Sequence, residues 1–172
     1  MQQTFEHVAK YLVGKGIDVG CGSNRFSDNV LAIDQQGDKR FSAADIVHDC
    51  KDLEIKEPLE FKGHVYSFQD NELDFIFSSH CLEDFENIPD VFMAWWKKIK
   101  PNGLMILLLP DMEGGRYPKV GAPTGNPSHK TNVGKEYITN MLASLPIKFE
   151  MIQSDTIDHG SSCTIDFVIK KL

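Results

Sequence analysis

The chain has 172 residues, enough for one domain that buries about two thirds of the surface exposed by its unfolded form. Its composition, with 41% apolar and 25% charged residues, is that of an ordinary globular protein. A net charge of -7 argues against a nucleic-acid or anionic-membrane partner, because either would require a basic face. We therefore expect a single domain over residues 1–172.

Cysteine usage and hydropathy favour a cytoplasmic protein. The four cysteines are scattered without a Cys-x-x-Cys pair, which fits reduced thiols better than a disulfide framework or a zinc site. The histidines show no metal-binding spacing, so no metal is predicted. The first residues lack the apolar core of a signal peptide, and the longest apolar run, Leu104 to Leu109, is too short to span a bilayer.

The first elements are a short helix and a buried strand that ends in a glycine turn. Apolar spacing predicts the helix over Thr4–Leu12, and the stretch Gly-Ile-Asp-Val-Gly-Cys-Gly at 16–22 predicts the strand and turn. Gly20 and Gly22 have no Cβ, so a ligand can lie against the main chain. Ligands bind at the carboxyl ends of strands in open parallel sheets. Asp18 offers an acceptor either for a ligand amine or for loop amides.

Two further apolar runs each lead to a carboxylate. Val30–Ile33 precedes Asp34, and Asp45–His48 precedes Asp49. A carboxylate after the second strand supplies two acceptor oxygens for the two hydroxyls of a ribose. Only seven residues separate the glycine turn from the second run, whereas a parallel crossover usually takes about a dozen or more. We therefore expect the first crossover helix to be reduced or absent.

The middle of the chain has the most regular patterns. Residues 50–71 have poor periodicity and predict a loop that can include one helical turn. Leu73–Ser79 predicts a buried strand, with His80 at its end. The spacing of apolar residues over Ile88–Ile99 predicts a helix, and Leu104–Leu109 predicts a strand buried on both faces.

The C-terminal part combines a long loop, a helix and a strand pair. Pro110–Lys130 is rich in Gly and Pro, and we expect it to border the ligand site and to order or shift when ligand binds. Val133–Leu145 predicts a helix, and alternation on both sides of Asp158–Gly160 predicts an antiparallel pair. The predicted fold class is α/β, a Rossmann-like open sheet that is mostly parallel with an antiparallel C-terminal hairpin.

Four stretches carry a family likeness through their content and their order. They are Ile17-Asp-Val-Gly-Cys-Gly22, Ala32-Ile-Asp34, Ala44-Asp-Ile-Val-His-Asp49 and Phe75-Ile-Phe-Ser-Ser-His-Cys-Leu-Glu83. With the Lys100-Pro-Asn-Gly103 turn and Asn126-Pro-Ser-His129, they resemble class I S-adenosylmethionine-dependent methyltransferases. More narrowly, they are similar to small methyltransferase-domain proteins linked to bacterial sugar and cell-surface glycan pathways, in which the first crossover helix is often reduced.

The resemblance implies methyl transfer from S-adenosylmethionine to a small acceptor, such as a sugar or glycan precursor. The implied cofactor-binding residues are Asp18, Gly20, Cys21, Gly22, Asp34, Asp49, Cys50, Ser78 and Ser79. Among them, Asp34 would hold the ribose hydroxyls and Asp49 would face the adenine. His80 would be the catalytic base and His129 would contact the acceptor. The family commonly has a second histidine where this chain has Asp84.

Other interpretations stay open at this point. His80 could equally be a packed histidine that bonds a carbonyl group. A nicotinamide dehydrogenase also uses a glycine turn and a strand-end acid, but its fingerprint requires a third glycine where this chain has Arg25. A methyltransferase-like subunit that binds a partner without catalysis is also compatible with a chain of 172 residues. The oligomeric state is not indicated by the sequence.

Overall fold

A seven-stranded sheet forms the centre of the computed structural model, which describes residues 6–38, 40–158 and 163–172. The strands are β1 (Gly16–Val19), β2 (Leu31–Asp34), β3 (Ile46–Val47), β4 (Leu59–Phe61), β5 (His64–Tyr66), β6 (Leu73–Ser79), β7 (Ile99–Pro110), β8 (Phe149–Asp158) and β9 (Cys163–Lys171). The sheet order is β3-β2-β1-β6-β7-β9-β8, and β4 pairs with β5 separately. Strands β3, β2, β1, β6 and β7 pair in parallel. Because β9 is antiparallel to both β7 and β8, the predicted fold class is confirmed.

The core lies on both faces of the central strands. The middle of β6, Phe75–Phe77, and the second half of β7 carry only apolar side chains, as strands buried on both faces require. Helices α2 (Ile88–Lys98) and α3 (Lys135–Ser144) pack on one face of the sheet. Helix α1 (Glu6–Ala9) and the ring of Phe26 cover part of the other face. The sheet therefore holds the carboxyl ends of β1, β2 and β6 at one rigid edge.

Helix α2 is as predicted to within one residue. Pro89 stands in its first turn, where a missing N–H costs nothing, and Lys97 and Lys98 stand in its last turn, favourably for the helix dipole. Trp95 and Trp96 are buried, as expected for packing residues rather than for a stacking surface. The Trp95 Nε1–H donates to the Cys50 carbonyl at 2.7 Å, which ties this helix to the loop after β3.

Strand β7 begins at Ile99 rather than at the predicted Leu104. Its pairing with β6 starts at Leu73↔Ile99 and resumes at Phe75↔Leu104. Residues 100–103 bulge out between these pairs, and Asn102 has a φ of 67°. The Pro-Asn-Gly sequence accounts for the bulge, because proline cannot donate to the ladder and the next two residues tolerate a left-handed backbone.

The segment between the glycine turn and β2 has no helix, as the short spacing predicted. The prediction of a loop over residues 50–71 is incomplete, because β4 and β5 form an antiparallel hairpin within this range. Lys62 and Gly63, with φ values of 48° and 80°, form its two-residue turn. Each strand has three residues, too few for an alternating pattern to be visible. The Tyr66 hydroxyl donates to the Gly16 carbonyl at 3.0 Å and fixes the hairpin on β1.

The remaining elements match their predicted ranges to within a few residues at their ends. Helix α1 ends at Ala9 rather than at Leu12, and residues 4 and 5 of that prediction lie outside the described residues. Helix α3 is shorter than predicted by a few residues at its ends. Strand β8 alternates between partly buried and exposed positions as an edge strand, whereas β9 is buried between two neighbours. Strand β8 ends at Asp158, and residues 159 and 160 of the predicted turn lie outside the described residues.

Candidate functional site

The glycine turn is held against the ends of two other strands. The Gly20 N–H donates to the Ile33 carbonyl at 2.8 Å, at the end of β2. Gly20 has a φ of 72°, and a Cβ there would lie 2.3 Å from Sγ of Cys81. Glycine is therefore required at this position by a positive φ and by close packing on the residue that follows His80.

Gly22 has a different environment from Gly20. Its φ is 52°, and a Cβ there would have no neighbouring atom within 4 Å. Its N–H donates to Asp34 Oδ2 at 2.8 Å, and the Gln36 N–H donates to Asp34 Oδ1 at 2.7 Å. The carboxylate after β2 thus fixes the turn while the outer side of Gly22 faces open space.

Asp18 is buried and serves the loop. Its Oδ2 accepts the Phe26 N–H at 2.7 Å, so of the two acceptor roles left open by the sequence, the loop amide is the one observed. Burial raises the pKa of Asp18 to about 7, against the opposing effects of the Phe26 amide and the Arg25 guanidinium. A group poised near neutral pH at the end of β1 would respond strongly to a nearby ligand charge.

Three buried cysteines surround the turn. Burial raises the pKa of Cys21 to about 12, so its thiol is neutral at physiological pH. Cys50 and Cys81 are also buried. The pKa of Cys81 is raised by contact with Cys50 and by burial. The thiols of Cys21 and Cys81 therefore act as small packing groups rather than as nucleophiles.

Two adjoining cavities open at the carboxyl ends of β1, β2 and β6. The larger has a volume of about 430 Å³ and is lined by Gly20, Gly22, Asp34, Gln35, Asp49, Cys50, Lys51, His80, Cys81, Asp84 and Phe85. The smaller has a volume of about 220 Å³ and is lined by Asp18, Gly20, Cys21, Gly22, Ser23, Asn24, Phe77, Ser79 and His80. Both volumes together are within the usual size range of small-molecule sites. The cavities meet at Gly20, Gly22 and His80.

The structure brings most of the sequence-predicted residues to these cavities. Ser78 is different, because it is buried and its hydroxyl donates to the Val19 carbonyl at 2.9 Å, linking β6 to β1. It lines neither cavity, so the structure does not bring Ser78 to the surface of the site. His129 lines neither cavity either, and it lies buried behind them.

His80 lies at the junction of the two cavities. Its φ of 53° turns the chain sharply after β6, and its N–H donates to the Leu108 carbonyl at 2.9 Å. A non-glycine residue with a left-handed backbone at a strand end is uncommon and is often associated with function. Its ring centroid lies 5.7 Å from that of Tyr117 on the long loop.

Glu83 is a site residue to which the sequence assigned no role. It is fully buried, and among the described residues neither of its carboxylate oxygens accepts a hydrogen bond. Its Oε1 lies 3.4 Å from His80 Nδ1 and 3.5 Å from His129 Nε2. The available signal was the Leu-Glu pair in the fourth family stretch, but nothing in the sequence shows that the loop histidine reaches it.

Asp84 places a carboxylate where the family commonly has a histidine. It lines the larger cavity, and its Oδ1 accepts the Ser128 hydroxyl at 2.9 Å. Burial raises the pKa of Asp84, with the Glu83 carboxylate acting in the same direction and the Ser128 hydroxyl in the opposite one. The departure from the family pattern therefore adds an acidic group to the cavity wall.

The long loop, residues 111–134 between β7 and α3, is anchored to the segment after His80. The N–H groups of Lys130 and Thr131 donate to the Glu83 carbonyl at 2.9 and 3.1 Å. The Thr131 hydroxyl donates to the Phe85 carbonyl at 2.9 Å. These bonds hold the end of the loop against residues 83–85, of which Asp84 and Phe85 line the larger cavity. A role of the loop at the acceptor remains a prediction.

The ranges 6–38, 40–158 and 163–172 lack a metal-binding cluster and a membrane-spanning helix. They contain no group of three or more His, Cys, Asp or Glu side chains arranged to hold a metal ion. They also contain no helix that is both long and apolar enough to cross a bilayer.

Comparison with known proteins gives concordant matches. A family model described as a methyltransferase domain matches residues 5–144. Phosphoethanolamine N-methyltransferase 2 of Caenorhabditis elegans is 26% identical over 98 residues, which are 55% of this chain and 22% of that protein. The chain thus matches less than a quarter of the length of that relative.

Solved structures show the same fold. A SAM-dependent methyltransferase from Archaeoglobus fulgidus superposes with a TM-score of 0.63 at 17% identity, covering 96% of this chain and 90% of that chain. One from Thermotoga maritima, described as a possible histamine N-methyltransferase, has a TM-score of 0.67 at 13% identity and covers 96% and 87%. The resemblance to class I methyltransferases is thereby confirmed. The chain belongs to the methyltransferase domain family and has the fold of S-adenosylmethionine-dependent methyltransferases.

Proposed function

We propose that this protein transfers a methyl group from S-adenosylmethionine to a small neutral acceptor that bears a hydroxyl group, such as a sugar or glycan precursor. The observation that carries the proposal is the pair of adjoining cavities. One wall consists of the glycine turn and Asp34, and His80 stands where the two cavities meet. Family membership supports the reaction type. The family resemblance in the sequence supports the acceptor class.

The residues present fit the cofactor. Each oxygen of Asp34 accepts one backbone N–H and keeps a second lone pair for a ribose hydroxyl. The open space beside Gly22 lets a ligand approach the main chain. Asp18, at the smaller cavity, gives a carboxylate for the amino group. Asp49 and Cys50 line the larger cavity, where the adenine would lie. The cofactor supplies a methyl group on a positively charged sulfur, and the carbon–sulfur bond breaks as the acceptor oxygen bonds to the methyl carbon.

The protein's own contribution to the reaction is alignment and proton removal. Holding the acceptor in line with the methyl carbon supplies much of the rate, and no covalent nucleophile is needed. A hydroxyl acceptor must still lose its proton. We assign this proton to His80, because the residue lines both cavities and an imidazole can act as a general base.

The charges of the cavity wall disfavour an anionic acceptor. Asp34, Asp49 and Asp84 line the larger cavity, and Lys51 is the one lysine or arginine in that lining. A phosphate group would meet net repulsion from these carboxylates. The phosphorylated acceptor named for the nematode relative therefore does not suit this wall, and an unphosphorylated sugar suits it better.

We further propose a cytoplasmic location, since the four cysteines are buried free thiols and form no disulfide. A nicotinamide cofactor is not favoured. Within the described residues no helix lies between the glycine turn and β2. A pyrophosphate at the turn would therefore lack the helix N-terminus that usually binds it.

Turnover with methyl-labelled S-adenosylmethionine against a panel of neutral sugars, phosphorylated sugars and nucleotide sugars tests the proposal. We expect label in a neutral sugar or a glycan precursor and little or none in the phosphorylated compounds. Cofactor binding without transfer to any acceptor, with transfer restored by a co-purified subunit, would instead indicate the non-catalytic alternative.

A further inference from the structure

The strongest unexplained feature is the buried carboxylate of Glu83. It sits in the short 3-10 turn Leu82–Asp84 directly after β6 and His80. Two imidazole nitrogens face the same oxygen, Oε1, at 3.4 and 3.5 Å. At these distances neither contact is a normal hydrogen bond, and a closure of a few tenths of an ångström would complete both.

The backbone of the long loop brings the second histidine to Glu83. Lys130 and Thr131 donate their N–H groups to the Glu83 carbonyl, so the preceding residue, His129, is carried to the carboxylate of the same residue. The Tyr117 ring is close to both histidine rings, with centroid distances of 5.7 Å to His80 and 6.0 Å to His129. His129 is buried, so its ring has little freedom to turn elsewhere.

The surroundings of Glu83 require a donor for its carboxylate. Cys81, Asp84 and Tyr117 are the other titratable groups that interact with it, and none of them is a cation. Within the described part of the chain, its ion-pair partners are His80 and His129. A buried carboxylate without a donor is costly, so imidazole N–H groups directed at Oε1 are the arrangement that stabilises it.

We infer that Glu83 is a positioning residue that accepts the Nδ1–H of His80 and thereby holds this ring in one tautomer, with Nε2 as the proton-accepting nitrogen. The inference rests on the proposed role of His80 as general base. The acceptor proton goes to Nε2, the Nδ1 proton stays on the ring, and the Glu83 carboxylate offsets the positive charge of the imidazolium. His129 donates its Nε2–H to the same oxygen and keeps the carboxylate in place. A carboxylate that orients a catalytic imidazole in this way is a recurring device in enzymes.

The direct test is the tautomer of His80 in the full-length protein. Two-bond ¹H–¹⁵N NMR spectra of the ¹⁵N-labelled chain at pH 8, with the His80 signals assigned from His80→Ala, distinguish the two neutral tautomers. We expect Nδ1–H in the wild type and in Glu83→Gln, whose amide oxygen can still accept. We expect loss of that preference in Glu83→Ala. Glu86→Gln, an exposed position on the same segment, is the matched control and should leave the spectrum unchanged.

Kinetics give an independent measurement. Glu83→Ala should lower kcat about tenfold to a hundredfold, as loss of an orienting partner does elsewhere, with the KM for the cofactor unchanged. Glu83→Gln should recover part of that loss. An Nε2–H tautomer of His80 in the wild type would overturn the inference, and so would an unchanged tautomer in folded Glu83→Ala. A chain with the expected tautomer and no turnover would refute the proposed function and leave the positioning role standing.

Discussion

The two sides of the cavity junction differ in how their polar groups are satisfied. The turn side, residues 18–36, has carboxylates that already accept backbone N–H groups, with Asp34 bound to Gly22 and Gln36. The histidine side, residues 80–85 with 128–131, contains Glu83, whose oxygens accept no hydrogen bond among the described residues. The difference shows that the turn side is preorganised. On the histidine side, the positioning role inferred for Glu83 requires the two histidine contacts to close by a few tenths of an ångström.

The largest expected effect tests the histidine side. His80→Ala should lower turnover a hundredfold or more, the order expected when a general base is lost. Affinity for S-adenosylhomocysteine should stay close to that of the wild type, because the turn side is intact. Transfer of labelled methyl groups measures turnover, and calorimetry measures the affinity for S-adenosylhomocysteine. His64→Ala, at an exposed position on the hairpin β4–β5, is the control. A variant that turns over like its parent would reduce His80 to a packing residue.

A second test separates the two glycines of the turn. Gly20→Ala should destabilise the fold by about 2–4 kcal/mol, since its Cβ would collide with Cys81 and its φ is positive. Gly22→Ala should cost only about 1–2 kcal/mol of backbone strain, because its Cβ would meet no atom within 4 Å. Chemical denaturation measures both. Equal losses of stability in the two variants would contradict the different environments described here.

A third test addresses the ribose acceptor on the turn side. Asp34→Ala removes charged hydrogen bonds worth about 1.5–3 kcal/mol each, so the affinity for S-adenosylhomocysteine should fall at least about tenfold. Asp155→Ala, at an exposed position on edge strand β8, is the control. If calorimetry gives the same affinity for the two variants, Asp34 is not part of the cofactor site.

The smallest expected effect concerns the buried charge of Asp18. Because burial raises its pKa to about 7, the folded state binds a proton between about pH 4 and pH 7 that the unfolded state releases. This group therefore makes the fold less stable as the pH rises through that window. Asp18→Asn should raise the melting temperature by about 2–4 °C at pH 8, which corresponds to about 1 kcal/mol for a chain of this size. At pH 4 the substitution should change the melting temperature little. An increase in melting temperature that is the same at both pH values would argue against a neutral Asp18 at low pH.

The turn side could be predicted from the sequence because its determinants are local. Apolar runs bounded by glycines and carboxylates specify β1 and β2, and the ends of parallel strands meet at one edge whatever their connections are. Asp34 lines the larger cavity for this reason, and its role toward a ribose stays a prediction. Ser78 lines neither cavity, because alternate residues of a strand face opposite sides, and a run that is apolar on both faces does not indicate which serine faces the ligand.

The histidine side could be predicted only in part. His80 was found because it follows a strongly apolar strand. Its contact with Glu83, and the contact of Glu83 with His129, depend on a loop without periodicity whose path is fixed by backbone bonds to the Glu83 carbonyl. Such contacts between distant segments leave no local pattern. The hairpin β4–β5 was missed for a related reason, since strands of three residues are shorter than the pattern that would reveal them.

The most direct test of the central claim is calorimetric titration of the wild-type chain with S-adenosylhomocysteine and, separately, with NAD. We expect saturable one-site binding of S-adenosylhomocysteine that is weakened by Asp34→Ala and unaffected by His80→Ala. We expect no binding of NAD at the same concentrations. Binding of NAD without binding of S-adenosylhomocysteine would contradict the account.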